Sequence, residues 1–229
     1  MRENHSRVYK IDGVGVSLSR FHPCAPEERL RLRGELGYSE GDFIITVVAE
    51  LNRNKNQMML VRSVPRLRTA VQNLKILLVG KETLPVVRRY VGQEHLSDSV
   101  QFLGYRNDVE KLTMISDVAF SASLREGLPV NIIEAMACGV PAVCSDNRGH
   151  RSLVRDKETG FIFSTDSEKE MTDAIVLLYK NPCLRAEMGR RSVVEAQKYD
   201  VDASVRRMSM IYSGLMGMNQ MMGGGTTVE

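Results

Sequence analysis

Short, continuous apolar runs separated by stretches of helical period set the pattern of this chain. Phe43–Ala49, Lys75–Gly80, Val100–Leu103, Asp117–Ser121 and Pro141–Cys144 lack the alternation of a one-sided sheet, which suits strands buried on both faces. Helical spacing of apolar residues fills the gaps over Lys55–Thr69, Leu84–His95, Asp108–Ile115 and Val130–Cys138. Strand and helix alternating in this way predict an α/β fold: a doubly wound, Rossmann-like parallel sheet with right-handed crossovers. Ligands of such sheets sit beyond the carboxyl ends of the strands.

After Gly160–Phe163 the pattern becomes mainly helical, through Glu168–Lys180, Pro182–Lys198 and Val201 to about Met218. The expected organisation is a linker over residues 1–20, a Rossmann-like unit over 21–200, a terminal helix over 201–219 and a flexible tail over 220–229. The tail contains Gly223–Gly225 and is expected to be trimmed by proteolysis after about Met218. On the terminal helix, Val205, Met208, Ile211, Tyr212 and Leu215 form one face, read as core or interdomain surface. A membrane-surface role is disfavoured because Arg206 and Arg207 supply the positive charge there alone. Gly13-Val-Gly15 lacks the third glycine and preceding strand of a dinucleotide loop, and reads as a turn.

Composition narrows the partners. The 229 residues carry 31 Lys and Arg against 28 Asp and Glu, a formal charge of +3 with no basic stretch interleaved with aromatics. That balance argues against nucleic acid and leaves room for a small anion. Cys24, Cys138, Cys144 and Cys183 share no metal-like spacing and read as reduced thiols. The polar start Met1-Arg-Glu-Asn-His is unlike a signal peptide, and no segment reaches transmembrane length, so a cytoplasmic location is expected.

The segment Ser123–Pro141 carries the clearest chemistry. Glu126 and Glu134 bracket a loop-to-helix junction in which Gly127 permits unusual backbone angles and close ligand approach and Pro129 suits the first position of the helix. Free amides and the positive end of a helix dipole attract phosphate, while carboxylates accept hydrogen bonds from hydroxyls. A sugar joined to a phosphate satisfies both. Flanked by Ile132, Ile133 and Met136, Glu134 is expected to be partly buried and to need partners such as ribose hydroxyls.

After the first strand, Asn54-Lys-Asn-Gln57 has the spacing of a capping box, with Asn54 as N-cap and Lys55 at the first helical position. A cation there opposes the helix dipole unless an anion sits beside it. Arg53 precedes it. Following the fifth strand, Asp146–Arg151 is placed on the same crevice, with Arg148 a better phosphate contact than His150 is a catalyst, since His150 has no evident acidic or nucleophilic partner.

These landmarks resemble the retaining glycosyltransferases of family 4, which have the GT-B fold, and in particular their bacterial capsular and exopolysaccharide members. The resemblance rests on Gly13–Val16, Glu50–Gln57, Phe102–Gly104, the Glu126–Glu134 stretch and Asn147–Arg151, in family order over roughly residues 8 to 165. It implies that residues 21–200 form the C-terminal, nucleotide-sugar-binding half. Glu126 would contact sugar hydroxyls, Gly127, Leu128, Pro129 and Val130 would offer backbone groups to sugar and diphosphate, and Glu134 would hold the ribose. Lys55 would neutralise the diphosphate, helped by Arg53, and Gly104, Tyr105 and Arg106 would lie beside the base. Many relatives carry an arginine where this chain has Glu50, and Arg53 is the candidate replacement.

The implied reaction is transfer from a nucleoside-diphosphate sugar, uridine-linked, to a polysaccharide or lipid-linked acceptor, with retention and without metal or cofactor. The implied partners are that donor and an acceptor domain in cis or trans, with peripheral association at the inner face of the membrane through that domain. Nothing ahead of residues 1–20 supplies the acceptor half, so the chain alone is expected to bind without appreciable turnover. A stand-alone nucleotide-sugar-binding module and a nucleotide-sugar epimerase are the other readings.

Overall fold

The computed structural model describes Tyr9, Ile11 and residues 13–223, of which 217–223 are described as backbone alone. Six strands, β1 (Phe43–Val48), β2 (Leu74–Val79), β3 (Val100–Gly104), β4 (Val118–Ser121), β5 (Ala142–Ser145) and β6 (Gly160–Phe163), form one sheet in the order β3-β2-β1-β4-β5-β6. Every pairing is parallel. The chain therefore winds outward from β1 to β3, returns beside β1 as β4, and winds outward again. The fold is the expected Rossmann-like α/β sheet, and its switch point lies between β1 and β4.

Residue alternation along the strands feeds two cores. Ile45, Val47, Ile76, Phe120 and Val143 pack with α2 (Gln57–Arg62), α3 (Val64–Arg68) and α8 (Glu168–Lys180). Ile44, Leu77, Ala142 and Cys144 face the other way, onto α1 (Pro26–Glu35), α5 (Val109–Met114) and α6 (Val130–Ala137). The remaining helices are α4 (Val86–Gln93), α7 (Arg148–Leu153), α9 (Pro182–Ala196) and α10 (Val201–Gly223). All four cysteines are free thiols, with Cys138 and Cys144 buried.

Several expectations shift. The single helix expected over Lys55–Thr69 divides at Ser63, because Pro65 has no amide to continue the ladder. The helix α1 was not expected: three arginines and two buried side chains, Leu32 and Arg33, leave almost no apolar stripe. Its starting signals, Pro26 followed by Glu27 and Glu28, are nevertheless in the sequence. On α10 the half-buried stripe is Val201, Ser204, Met208, Ile211 and Leu215, whereas Val205 and Tyr212, expected on that face, are exposed. This helix runs to Gly223, past the expected Met218; the remainder of the expected flexible tail, 224–229, lies outside the described residues, as does half of the expected linker.

The described end of that linker is fixed in place. Val16 donates to the Tyr199 carbonyl and accepts from Val201. Gly15, at φ +80°, lies so close to α10 that a Cβ would come within 2.5 Å of the Val201 backbone. The turn expected at Gly13-Val-Gly15 is thus a strap laid against the start of α10.

Candidate functional site: a crevice at the switch point

The expected site residues leave the sheet at its carboxyl edge. Arg53 and Lys55 follow β1, Gly104 ends β3 with Tyr105 and Arg106 beyond it, and Glu126–Val130 link β4 to α6, which carries Glu134. Across the switch point Lys55 Nζ lies 2.5 Å from Glu126 Oε1, with both side chains partly buried. The two loops are stitched together by backbone as well: Leu124 donates to the Asn54 carbonyl (2.8 Å) and Asn54 Nδ2 to the Arg125 carbonyl (3.1 Å).

The expected capping box is absent. Helix α2 begins at Gln57, after Asn56 in a left-handed conformation (φ 50°), so Lys55 precedes the helix and is not its first residue. Asn52 instead accepts the Lys55 amide (3.0 Å), and Gln57 donates its side-chain amide to the Glu50 carbonyl (2.9 Å). Asn54 is free of capping duty because it bonds the β4–α6 loop. The effect is to turn Lys55 toward that loop.

At α6, Pro129 is the N-cap and Val130 the first helical residue, one position later than expected. Ile132 and Ile133 return their amides to the Pro129 carbonyl (3.0 and 3.3 Å). The amides of Val130 and Asn131 have no partner among the described residues and form the helix's anion-attracting end. Gly127 has an ordinary, non-positive φ. A Cβ there would meet nothing within 4 Å, so what this position supplies is open space for a ligand against the backbone.

Glu134 points to a different neighbourhood from Glu126. Its carboxyl is mostly buried and has no hydrogen bond or ion pair among the described residues. Burial pushes its pKa up to about 7, against the pull of Arg20, with Glu110 adding to the rise. Arg20 comes from the strap: its Nε bonds Glu110 Oε2 (3.0 Å) and its Nη2 the Asn107 carbonyl (2.5 Å). Glu134 therefore belongs with the β3–α5 connection, where Gly104 takes φ +65° and Tyr105 is 80% exposed. Arg106 is turned back onto Asp108 in a two-pronged pair (2.8 and 2.6 Å), which lowers the Asp108 pKa.

A buried scaffold that the sequence reading missed holds the Glu126 loop from below. Ser145 Oγ and Asn147 Nδ2 both donate to the Ser123 carbonyl (2.7 and 2.8 Å), and Asn147 caps α7 by accepting the His150 amide (3.0 Å). His150 is fully buried, 2.8 Å from the Ser145 carbonyl through Nδ1 and 3.0 Å from Ser121 Oγ through Nε2, with its pKa lowered by burial. It is a structural histidine. Gly149 lies under Glu126 so closely that a Cβ would sit 2.6 Å from the Glu126 Cβ. Asn147, three residues before the buried His150, carried a readable cap signal; Gly149 carried none. Arg148, expected near phosphate, is exposed at the first position of α7.

Arg53 is not gathered with Lys55 and Glu126. It lines a separate cavity of about 200 Å³ between the β1–α2 loop and α4. A larger cavity of about 490 Å³ lies at the other edge of the sheet, where Arg29 and Arg185 are held by backbone carbonyls and Asp117.

Residues 28–193 match the family model "Glycosyl transferases group 1". The chain is 35% identical over 214 residues to the putative glycosyltransferase EpsD of Bacillus subtilis, covering 93% of this chain and 56% of that protein. It is 26% identical over 214 residues to a Campylobacter jejuni N,N'-diacetylbacillosaminyl-diphospho-undecaprenol alpha-1,3-N-acetylgalactosaminyltransferase, covering 93% of this chain and 55% of the enzyme. The chain thus spans about half the length of these curated relatives. Among solved structures, Anabaena HepE in complex with UDP and glucose superposes with a TM-score of 0.79 at 22% identity, over 87% of this chain and 55% of that one. The C-terminal domain of a glycosyl transferase group 1 protein, LpcC, from Francisella tularensis superposes with a TM-score of 0.73 at 18% identity, over 82% of this chain and the whole of that domain. Sheet order, crevice position and matched residues converge on one conclusion: the chain belongs to the group 1 glycosyltransferases.

Proposed function

We propose that this chain is the donor-binding half of a retaining glycosyltransferase of the family 4 type, taking a uridine-linked nucleoside-diphosphate sugar. The observation that carries this reading is the Lys55–Glu126 pair at the switch point, beside the open amides of α6. A diphosphate lying over those amides would take Lys55 as its counter-ion, leaving Glu126 to accept from sugar hydroxyls. Glu134, set apart toward the β3–α5 connection, is positioned to accept from the ribose, with the base beside Gly104–Arg106. The UDP-bound HepE neighbour supports this choice of ligand.

In the proposed reaction, charge accumulates on the departing diphosphate as the glycosidic bond breaks. Lys55 and the α6 amides are fixed before that charge develops, so they stabilise it without reorganising. Both glutamates position hydroxyls and neither serves as an acid or base. No metal is assigned to the site.

The acceptor half would correspond to the part of the relatives' length that this chain does not cover. Val205, Tyr212 and Met216, at helical spacing on one face of α10, are 55–63% exposed and would give that half an apolar surface to dock on. Bacterial polysaccharide or lipid-linked acceptors, met at the inner face of the membrane, fit the relatives. Among the described residues no helix is long and apolar enough to cross a membrane.

Calorimetric titration with UDP, comparing the chain with a Glu134→Ala variant, tests the donor assignment. Binding that weakens in the variant supports it. Equal, negligible heats for both proteins would sink it.

A further inference from the structure

The loop between β1 and α2 has two sides, and the donor reading uses one. On the β4 side it presents Lys55 to Glu126. On the β2 side it walls the cavity of about 200 Å³ that holds Arg53, bounded across the gap by Arg62 of α2 and by Leu84, Val86 and Val87 before and within α4.

Three observations mark this cavity as a site. Arg53 and Arg62 both line it, and neither has a hydrogen bond or ion pair among the described residues. Nor do the carboxylates of the flanking segments pair with them: Glu50 lies 3.4 Å from Asn52 Nδ2, and Glu82 accepts from Arg88 through Oε2 (2.8 Å), its buried Oε1 having no partner among the described residues. Next, Gln57 lines the same cavity while 1% exposed, and its Oε1 has no hydrogen-bond partner although Nε2 is bonded to Glu50. A buried amide oxygen without a donor is costly, and a ligand hydroxyl would relieve it. Finally, Leu51, Met58 and Val87 give the cavity an apolar wall opposite these polar groups.

Anion, hydroxyl donor and apolar ring face are the combined demands of a charged sugar. We propose that this cavity is a binding site for a negatively charged sugar, distinct from the donor crevice, with Arg53 and Arg62 taking its charge and Gln57 accepting from a hydroxyl. The inference stands on the cavity and is independent of the donor reading given above.

The 229-residue chain is titrated with methyl β-D-glucuronide, followed through backbone amide resonances, with UDP affinity measured on the same preparation. The expected result is saturable shifts at Arg53, Gln57, Arg62 and Val87, and an affinity about tenfold weaker in Arg62→Ala, equal to about 1.4 kcal/mol. Arg62→Lys, which keeps the charge but not the planar fork, falls between the two. Because Arg62 is exposed and outside the donor crevice, UDP binding stays unchanged in both variants. Absence of shifts, or shifts that Arg62→Ala leaves intact, overturns the proposal. Equal binding of neutral methyl β-D-glucoside, or of acetate, overturns the charged-sugar assignment. Loss of UDP binding in the unmodified chain instead defeats the donor reading, and the glucuronide result still decides the cavity.

Discussion

Lys55 and Glu126, 71 residues apart in sequence, meet at 2.5 Å where the sheet changes winding direction. Each is therefore the other's competitor for ligand. A diphosphate must draw Lys55 from Glu126, and a sugar must draw Glu126 from Lys55. Replacing the two has opposite consequences for UDP, which has no transferable sugar. Lys55→Met is expected to weaken UDP by about tenfold or more, the loss of a charged hydrogen-bond partner. Glu126→Gln releases the lysine and tightens UDP. Calorimetry on the two variants checks the signs, and UDP weakened equally by both would contradict the competition. In urea unfolding, the pair's coupling should be about 1 kcal/mol or less, because both side chains retain some contact with water.

Glu134 makes stability pH-dependent in an unusual direction for a carboxylate. The folded protein holds its proton up to about pH 7, whereas an exposed glutamate releases it near 4.5. Between those values the folded state binds more protons than the unfolded one, so stability falls as pH rises from about 4.5 to 7. Glu134→Gln should flatten that slope and leave the protein about 2 kcal/mol more stable above pH 7, with the part of the carboxyl still in water limiting the gain. Arg20→Ala moves the window upward, since Arg20 favours the ionised form. Urea midpoints across pH 4–8 check both. UDP binding runs the other way, because an ionised Glu134 is the better acceptor for ribose hydroxyls; its gain with pH should exceed that of Glu134→Gln.

How much of this was legible depends on the range of the interaction. The strands announced themselves because burial on both faces writes a continuous apolar run, and the crevice followed from their alternation with helices. Lys55 could be singled out because a cation at an expected helix start opposes the dipole, and Glu126 and Glu134 because they bracket a loop-to-helix junction, Glu134 among apolar neighbours. What stayed hidden was decided between distant segments. Whether Asn54 capped a helix or bridged to Arg125 depended on a loop 71 residues away. The helix α1 is held by Arg29 and Arg33 on the Asp117 region, and so has little apolar stripe to read. That Arg53 and Lys55 occupy opposite sides of one loop shows only in what each meets, the cavity beside α4 for Arg53 and Glu126 for Lys55, both distant in sequence.

Gly149 is where the buried scaffold touches the crevice directly. An added Cβ would stand 2.6 Å from the Glu126 Cβ and 2.7 Å from its carbonyl oxygen, distances that force the backbone to move. Gly149→Ala should destabilise the protein by about 1–3 kcal/mol, the usual range for overpacking a tight site. Displacing Glu126 also releases Lys55, so the variant's UDP affinity should change while the sheet persists, as judged by far-ultraviolet circular dichroism. Alanine at Gly92, where a Cβ meets nothing within 4 Å, is the matched control. A Gly149→Ala protein with unchanged stability and UDP affinity would show that the α7 contact does not position the loop.

Asp117 sits at the opposite end of β4 and decides whether the sheet edge holds at all. It is 4% exposed, accepts the Ile44 amide (2.8 Å), and pairs with Arg29 (3.0 Å) and Arg33 (2.8 Å), with Arg185 at 3.4 Å. One carboxylate thus compensates three guanidinium groups, and burial beside like charges lowers the pKa values of Arg33 and Arg185. Asp117→Asn keeps the shape but leaves the arginines without a counter-charge, so the cost should approach that of breaking a buried ion pair, about 3–5 kcal/mol. Arg29→Ala, which removes a partly exposed member and lessens the repulsion, should cost far less. If urea unfolding finds the two equal, the cluster is held by its backbone hydrogen bonds and not by the charge of Asp117. The donor crevice provides the second readout: an Asp117→Asn protein that still folds should bind UDP normally, because the cluster acts on stability from the far edge of the sheet.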